Sequence, residues 1–237
     1  MPVSHEVMVE GFLQIVSEAR LSVKQFCRIL INLIKETDTN LVEKLSSQLK
    51  TTSNCKHSKG MLYHLEALVN LSLYQDFENC MFDKNGTPKV LDPYQDRIEN
   101  FSAFVALRNL SSNEVLKKGS KCYSEDFSRF CDRKMSGIAS ILNWSRPWPE
   151  HLLQSFFVSA KCIWLLHLLA FSFSPPLMIL RVEENRSFDP LYMEDVLHDK
   201  HRQAHTSACV KIMVMPGFYV EDRVLRCRVL CKHNSMT

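Results

Sequence analysis

Between Leu152 and Phe173 the chain reads LLQSFFVSAKCIWLLHLLAFSF, broken only by Gln154, Ser155, Ser159, Lys161, His167 and Ser172 and stopped by Pro175-Pro176. At helical spacing Leu153, Phe156, Ala160, Ile163, His167 and Phe171 fall on one face. Val158, Cys162, Leu165, Leu169 and Phe173 fall on another, so apolar surface covers most of the circumference. Such a helix has to be buried, in a protein core or in a bilayer. A bilayer span needs about 20 predominantly apolar residues. Lys161 would then sit near mid-depth, at a cost of roughly 2.5–3.5 kcal/mol, with His167 as a second polar group in hydrocarbon. A core helix that lets Lys161 reach solvent between its neighbours costs less. The segment is therefore expected to be the hub of a helical domain, with no transmembrane segment. His167 is expected to be a core histidine hydrogen-bonded to a neighbour.

The remaining segments supply partners for that hub. From about Val7 to Leu49 a 3–4 repeat runs through Val9, Phe12, Val16, Ala19, Val23, Phe26, Leu30 and Leu33, the a and d positions of four heptads. Leu13, Ile15, Ile29, Ile31 and Ile34 widen the stripe, and after Thr37 the spacing shifts to Leu41, Leu45 and Leu49. Two readings of this face stay open. Val9, Phe12, Val16, Val23, Phe26, Leu30 and Leu33 could pair with a partner or form a homodimer, or the helix could pack on its own domain. Residues 1–50 are thus expected as a coiled-coil-like helix, 51–60 (TTSNCKHSKG) as a linker, and 61–237 as a second, helical domain.

Within that domain a helix is expected over Met61–Phe82, followed by a turn at Asp83-Lys-Asn-Gly-Thr-Pro88. Asp92-Pro93 is a cap followed by a first-turn proline, opening a helix to about Lys118 or Gly119 with a bend near Asn109–Ser112. Ser124 caps the next helix, with Phe127, Phe130, Met135, Ile138, Ile141 and Leu142 facing inward. Asn143-Trp-Ser-Arg-Pro-Trp-Pro149 reads as a rigid corner. A short helix is expected around Pro190–Lys200. The period then changes: Cys209–Met215 alternates, Pro216-Gly217 is a turn signal and Val224–Cys231 is β-rich, so a small antiparallel hairpin is expected over 209–232. The fold class is mainly α, a helical bundle with an N-terminal heptad-patterned helix and a small C-terminal β-hairpin.

Charge and motifs exclude more than they assign. A formal net charge of +3 over 237 residues gives no basis for nucleic-acid binding. Nine cysteines in scattered positions, with a short mixed segment from Met1 to Glu10 ahead of them, point to free thiols and a cytoplasmic location. His198, His201, His205, Cys209, Cys227, Cys231 and His233 are the types zinc prefers, but their spacing fits no finger, ribbon or knuckle. No metal and no cofactor are therefore expected. Gly-x-Ser-x-Gly, Walker A and Gly-x-Gly-x-x-Gly patterns do not occur, so no enzyme is expected. Lys117, Lys118 and Lys121 cluster at a helix end, where positive charge suits the dipole. Binding of acidic lipids or phosphate there, by a protein peripheral at the plasma membrane, is the alternative function.

Several segments carry a resemblance. They are Leu62-Tyr-His-Leu-Glu-Ala-Leu-Val69, Lys89-Val-Leu-Asp-Pro93, Asn113-Glu-Val-Leu-Lys-Lys-Gly119, Phe127-Ser-Arg-Phe-Cys131, Asn143-Trp144 to Pro147-Trp148, Ala160-Lys-Cys-Ile-Trp-Leu-Leu-His-Leu-Leu-Ala170, Arg181-Val-Glu-Glu-Asn185 and Val214-Met-Pro-Gly-Phe-Tyr219. Together the chain resembles the plant-specific family of the Gravitropic-in-the-light and IRK-interacting proteins, closer to the IRK-interacting branch, over roughly residues 10 to 232. Members of that family have a longer N-terminal region, and Ser112 stands where the IRK-interacting type carries a Trp. The resemblance implies a non-enzymatic signalling adaptor in light-dependent (red and far-red) control of gravitropism. It implies a protein partner, a leucine-rich-repeat receptor-like kinase among the candidates. The family pattern contains no catalytic or cofactor residues to carry over.

Overall fold

The computed structural model describes residues 4–47, 57–80, 92–197 and 208–233. The chain divides into two compact units, Met1–Phe26 with Ser72–Met178, and Cys27–Leu71 with Ile179–Thr237. The division falls inside helices α1 (His5–Thr37) and α3 (His57–Leu73), so each of these contributes residues to both units.

The first unit is built on the apolar stretch. Pro149 stands at the N-cap of α7 (Glu150–Ala170), on which α4 (Pro93–Arg108), α5 (Ser112–Leu116) and α6 (Glu125–Leu142) all pack. Phe156 and Ile163 are fully buried, and Leu166 and Ala170 are as well. Burial of each large apolar side chain stabilises the unit by about 1.5–3 kcal/mol relative to exposure. Alpha7 is long and apolar enough to cross a membrane, but it lies among three other helices and most of it is inaccessible. From α1, Phe26 stacks on Trp148 at 5.7 Å and meets Phe156 at 5.9 Å, while Phe12 stands edge-on to Phe173 at 6.3 Å. The proline-rich corner serves as a lid on these rings: Trp148 also meets Phe156 edge-on at 5.4 Å, and Trp144 is buried.

Lys161 keeps partial access to solvent, as expected, and also finds partners in the fold. Half-buried, its ammonium donates to the carbonyls of Arg108 (3.2 Å) and Leu110 at the C-terminal end of α4. Helix ends leave carbonyls without intrahelical partners and carry partial negative charge, which a cation satisfies. The same point interrupts the long helix expected from Asp92. Asp92 caps α4 as expected, accepting from the amides of Tyr94 (3.1 Å) and Gln95 (3.2 Å). A new helix then starts at Ser111 with a capping box, in which Ser111 and Glu114 satisfy each other's backbone amides. Ser124 caps α6, accepting from Phe127 N at 3.2 Å.

The helix expected over Met61–Phe82 ends at Leu73 instead. Tight turns follow, with Phe77 N donating to Tyr74 O and Asn79 N to Asp76 O. Side chains from α6 and α7 satisfy the freed carbonyls: Lys134 Nζ donates to Gln75 O at 2.7 Å, and His167 Nε2 lies 2.8 Å from Asn79 O. The two contacts give carbonyls of these turns a polar partner in place of the amide that a continued helix would supply.

In the second unit, α1 ends at Thr37 and α2 (Thr39–Ser47) begins after Asp38, whose carboxylate accepts from Leu41 N at 3.0 Å. That junction lies where the apolar spacing changes. His57–Gly60, expected in the linker, form the first turn of α3. Residues 51–56 and the Asp83–Pro88 turn lie outside the described residues.

The β part is larger than one hairpin. Strands β1 (Met178–Leu180), β4 (Gly217–Val220) and β5 (Arg223–Leu225) form one sheet in the order β1-β4-β5. Strands β2 (Met193–Asp195), β3 (Ala208–Met215) and β6 (Cys227–His233) form another in the order β2-β6-β3. Beta6 pairs antiparallel with β3 (Val210 opposite Cys231) and parallel with β2 (Met193 opposite Cys227). The short helix expected near Pro190 is therefore strand at Met193–Asp195, held by β6 across more than thirty residues of chain. Pro216-Gly217 does not close a hairpin. It passes the chain from the β3 sheet to the β4 sheet, and the reversal comes at Glu221, with φ 54°, between β4 and β5. A Cβ on Gly217 would run into the Leu225 carbonyl and come within 2.8 Å of Cys227 N, so only glycine fits the crossing. Val182, Met193, Val210, Cys227, Val229 and Cys231 form a core beneath, flanked by Leu180, Phe188 and Met213.

The structure is thus mainly α with a small C-terminal β part.

Candidate interaction surfaces

Of the α1 face, Phe12, Val16, Val23, Phe26 and Leu30 are buried, and Val9 and Leu33 are half-buried. A side chain that already packs inside its own chain offers little area to a second one. The burial favours packing within the chain over the pairing reading, because freeing Phe12 and Phe26 would expose two ring clusters. Along this stripe Phe12, Val16, Val23 and Phe26 belong to the first unit and Leu30 and Leu33 to the second.

Lys117, Lys118 and Lys121 are all exposed, in the eight-residue connection between α5 and α6. Ser120 N donates to Lys117 O at 3.1 Å, and Gly119 at φ 81° occupies the third position of that turn, the arrangement of a type II turn. Tyr123 N donates to Ser120 O (3.3 Å), and Ser124 N to Val115 O (3.0 Å) closes the loop. The three ammonium groups therefore project from a tied, compact turn. Next to it lies an open pocket of about 310 Å³, with Lys117, Asn113, Ser128 and Asp132 around Leu116, Cys131 and Phe157.

Two further concavities are apolar. In the first unit Val7, Met8, Gly11, Phe101, Val105 and Leu169 line a groove of about 240 Å³, with Arg108 at its edge. Val7 and Val105 are more than half exposed there. In the second unit Ala67, Leu71, Val182, Ile212, Met213 and Pro216 line a slot of about 190 Å³, with Glu184 and Lys211 beside it. Neither feature was singled out in the sequence, because each is assembled from segments far apart in the chain.

The buried titratable groups serve the fold. Burial lowers the Lys134 ammonium to about 8, and the group still donates to Gln75 O and lies 5.4 Å from the Phe130 ring. Burial also pushes His167 down to about 3, leaving a neutral imidazole among Phe77 (5.2 Å), Phe171 (4.5 Å) and Trp164 (6.3 Å). His167 is the hydrogen-bonded core histidine that its sequence setting suggested. Burial raises the thiols of Cys227 to about 11 and Cys231 to about 12, and Cys227 Sγ lies 3.2 Å from Leu180 O. A thiol held protonated in this way is a poor nucleophile and a poor metal ligand. Among the described residues no three His, Cys, Asp or Glu side chains gather as metal ligands. His198, His201, His205 and the side chain of His233 lie outside the described residues.

A family model described as the GIL1/IRKI C-terminal domain matches residues 179–230, which hold all six strands but for the ends of the first and last. The whole chain is 62% identical to IRK-interacting protein from Arabidopsis thaliana over 241 aligned positions, covering 43% of that protein. It is 24% identical to Protein GRAVITROPIC IN THE LIGHT 1 from Arabidopsis thaliana over 199 positions, 77% of this chain and 34% of that protein. The chain thus spans less than half the length of either relative. No solved structure matches it. Both relatives are named for an interaction or a growth response, not for a reaction. The matched C-terminal domain and the identity along the full length together place this chain in the GIL1/IRKI family of plant proteins.

Proposed function

We propose that this chain belongs to a non-enzymatic signalling adaptor that works through protein–protein contacts. Its partner is a receptor-like kinase and its pathway the light-dependent control of gravitropism. The observation that carries this reading is the 62% identity to IRK-interacting protein along the entire chain. The buried α1 stripe is engaged in folding, so the contacts belong to residues left at the surface. The chain acts in the cytoplasm, beside the plasma membrane where receptor-like kinases present their intracellular domains. The test is capture of the purified chain by the purified intracellular domain of a leucine-rich-repeat receptor-like kinase, with an unrelated kinase domain as control. Saturable binding to the first alone supports the proposal. Equal binding to both, or to neither, refutes it.

A second reading rests on the exposed turn bearing Lys117, Lys118 and Lys121. Each lysine near an anionic leaflet contributes about 1 kcal/mol of attraction, so three of them would give weak, salt-sensitive association. Flotation with phosphatidylserine vesicles tests it: recovery that is absent, or unchanged between 50 and 300 mM salt, rules out this role.

A further inference from the structure

Two serines in the chain follow a pair of basic residues with one residue between: Ser120 after Lys117-Lys118-Gly119, and Ser136 after Arg133-Lys134-Met135. Charge patterns of this kind are how many kinases choose a hydroxyl, through acidic groups in the substrate cleft. The sequence alone ranks the two alike. The structure separates them. Ser136 lies in the middle of α6, and Lys134 of its basic pair is buried with its ammonium on Gln75 O. Presenting Ser136 as the extended segment a cleft accepts would unwind the helix and pull Lys134 out of the core. Ser120 sits on the surface turn, where Lys117, Lys118 and Lys121 are exposed and Gly119 has no neighbour within 4 Å of a Cβ position. Three backbone hydrogen bonds tie the turn, and one bond from Ser120 Oγ to Glu114 O (3.1 Å) holds the hydroxyl. Short surface loops held by a few hydrogen bonds open locally at low free energy.

We infer that Ser120 is a phosphoacceptor for a basophilic serine/threonine kinase using magnesium-ATP. The Ser120 Oγ attacks the γ-phosphorus of ATP. A bond from phosphorus to Oγ forms as the bond to the β–γ bridging oxygen breaks; ADP leaves, and the hydroxyl proton passes to the catalytic aspartate of the kinase. The product has a physical consequence on this turn. Oγ loses the proton it donated to Glu114 O, and the phosphate brings a charge of about −1.5 to −2 beside three ammonium groups. The local charge of the turn falls from about +3 to about +1 to +1.5, with the phosphate in reach of cations that flank it in sequence.

The test uses the full chain with magnesium-ATP and, as probe kinase, the catalytic subunit of cyclic-AMP-dependent protein kinase, followed by phosphopeptide mapping. The expected result is one phosphate on Ser120, absent in Ser120→Ala. The double variant Lys117→Ala/Lys118→Ala should fall at least tenfold in initial rate. Both lysines are exposed, so its circular dichroism and thermal midpoint should match those of the parent chain. Phosphate on Ser136 or another residue with Ser120 unmodified overturns the inference. So does an unchanged rate in the double variant, or no incorporation at all.

Discussion

Replacing Lys134 with methionine keeps the aliphatic stem and removes a buried ammonium, and the consequence depends on pH in a way that can be worked out. Lys134 is 5% exposed, and burial brings its folded-state value to about 8, against an ordinary lysine value of 10.5. Between those values the unfolded chain holds a proton that the folded chain has released. Stability therefore rises with pH across that window, since the unfolded state binds more protons there. Below pH 8 the charged form carries its full desolvation cost, on the order of 3 kcal/mol from a shift of 2.5 pKa units at 1.36 kcal/mol each. The methionine variant has no such group. The stability of the parent minus that of Lys134→Met should therefore climb by about 2.5 kcal/mol between pH 7 and pH 10, following the linkage relation. Buried thiols and Tyr74, whose values are raised, push the other way as pH rises, but they are common to both proteins and cancel in the difference. Urea denaturation under reducing conditions at pH 7, 8, 9 and 10 measures it. A difference that stays flat, or falls, refutes the idea that the ammonium is desolvated in the folded state.

Three other perturbations test other parts of the structure. Gly217→Ala drives a methyl into the Leu225 carbonyl at the crossing between sheets, and should lower stability by about 2 kcal/mol or more, read as a shift in urea midpoint. Phe156→Ala empties the ring cluster with Phe26 and Trp148; a fully buried Phe→Ala change costs about 3–5 kcal/mol, and thermal unfolding should show a midpoint lowered by many degrees. His167, held neutral down to about pH 3, takes up a proton on unfolding below its ordinary 6.5, so stability should fall as pH drops from 6.5 towards 3. His167→Gln should flatten that fall, and identical acid profiles for the two proteins would contradict the burial argument.

Particular residues show where the sequence was legible. The caps at Asp92 and Ser124 depend only on a side chain and amides two or three positions away, so local chemistry predicted both. The apolar run that became α7 and the change of spacing near Thr37 were equally visible, because helical period is a local property. The failures share one cause. Strand Met193–Asp195 looked helical until β6 paired with it, and Pro216-Gly217 looked like a hairpin turn until two sheets met there. Lys134 carries no local mark of burial, yet it lies on the buried stripe of α6 between Phe130 and Ile138. Of the candidate surfaces, the exposed lysine turn was predictable as a charge cluster, whereas the apolar groove and slot were not.

By itself the sequence determined the class of the fold, the position of its central helix, several helix boundaries and the family, since these follow from local periodicity, capping chemistry and residue identity. The tertiary structure decided whether the α1 stripe faces inward, where Lys161 and Lys134 place their charges, and which of two equivalent serine motifs lies on an accessible turn. Each of those outcomes depends on a contact between residues distant in the chain. Lys161 shows this most directly: in sequence it counts against membrane burial, and in the fold it holds two carbonyls more than fifty residues away. Only folding brings that cation to the helix end whose partial charge it neutralises.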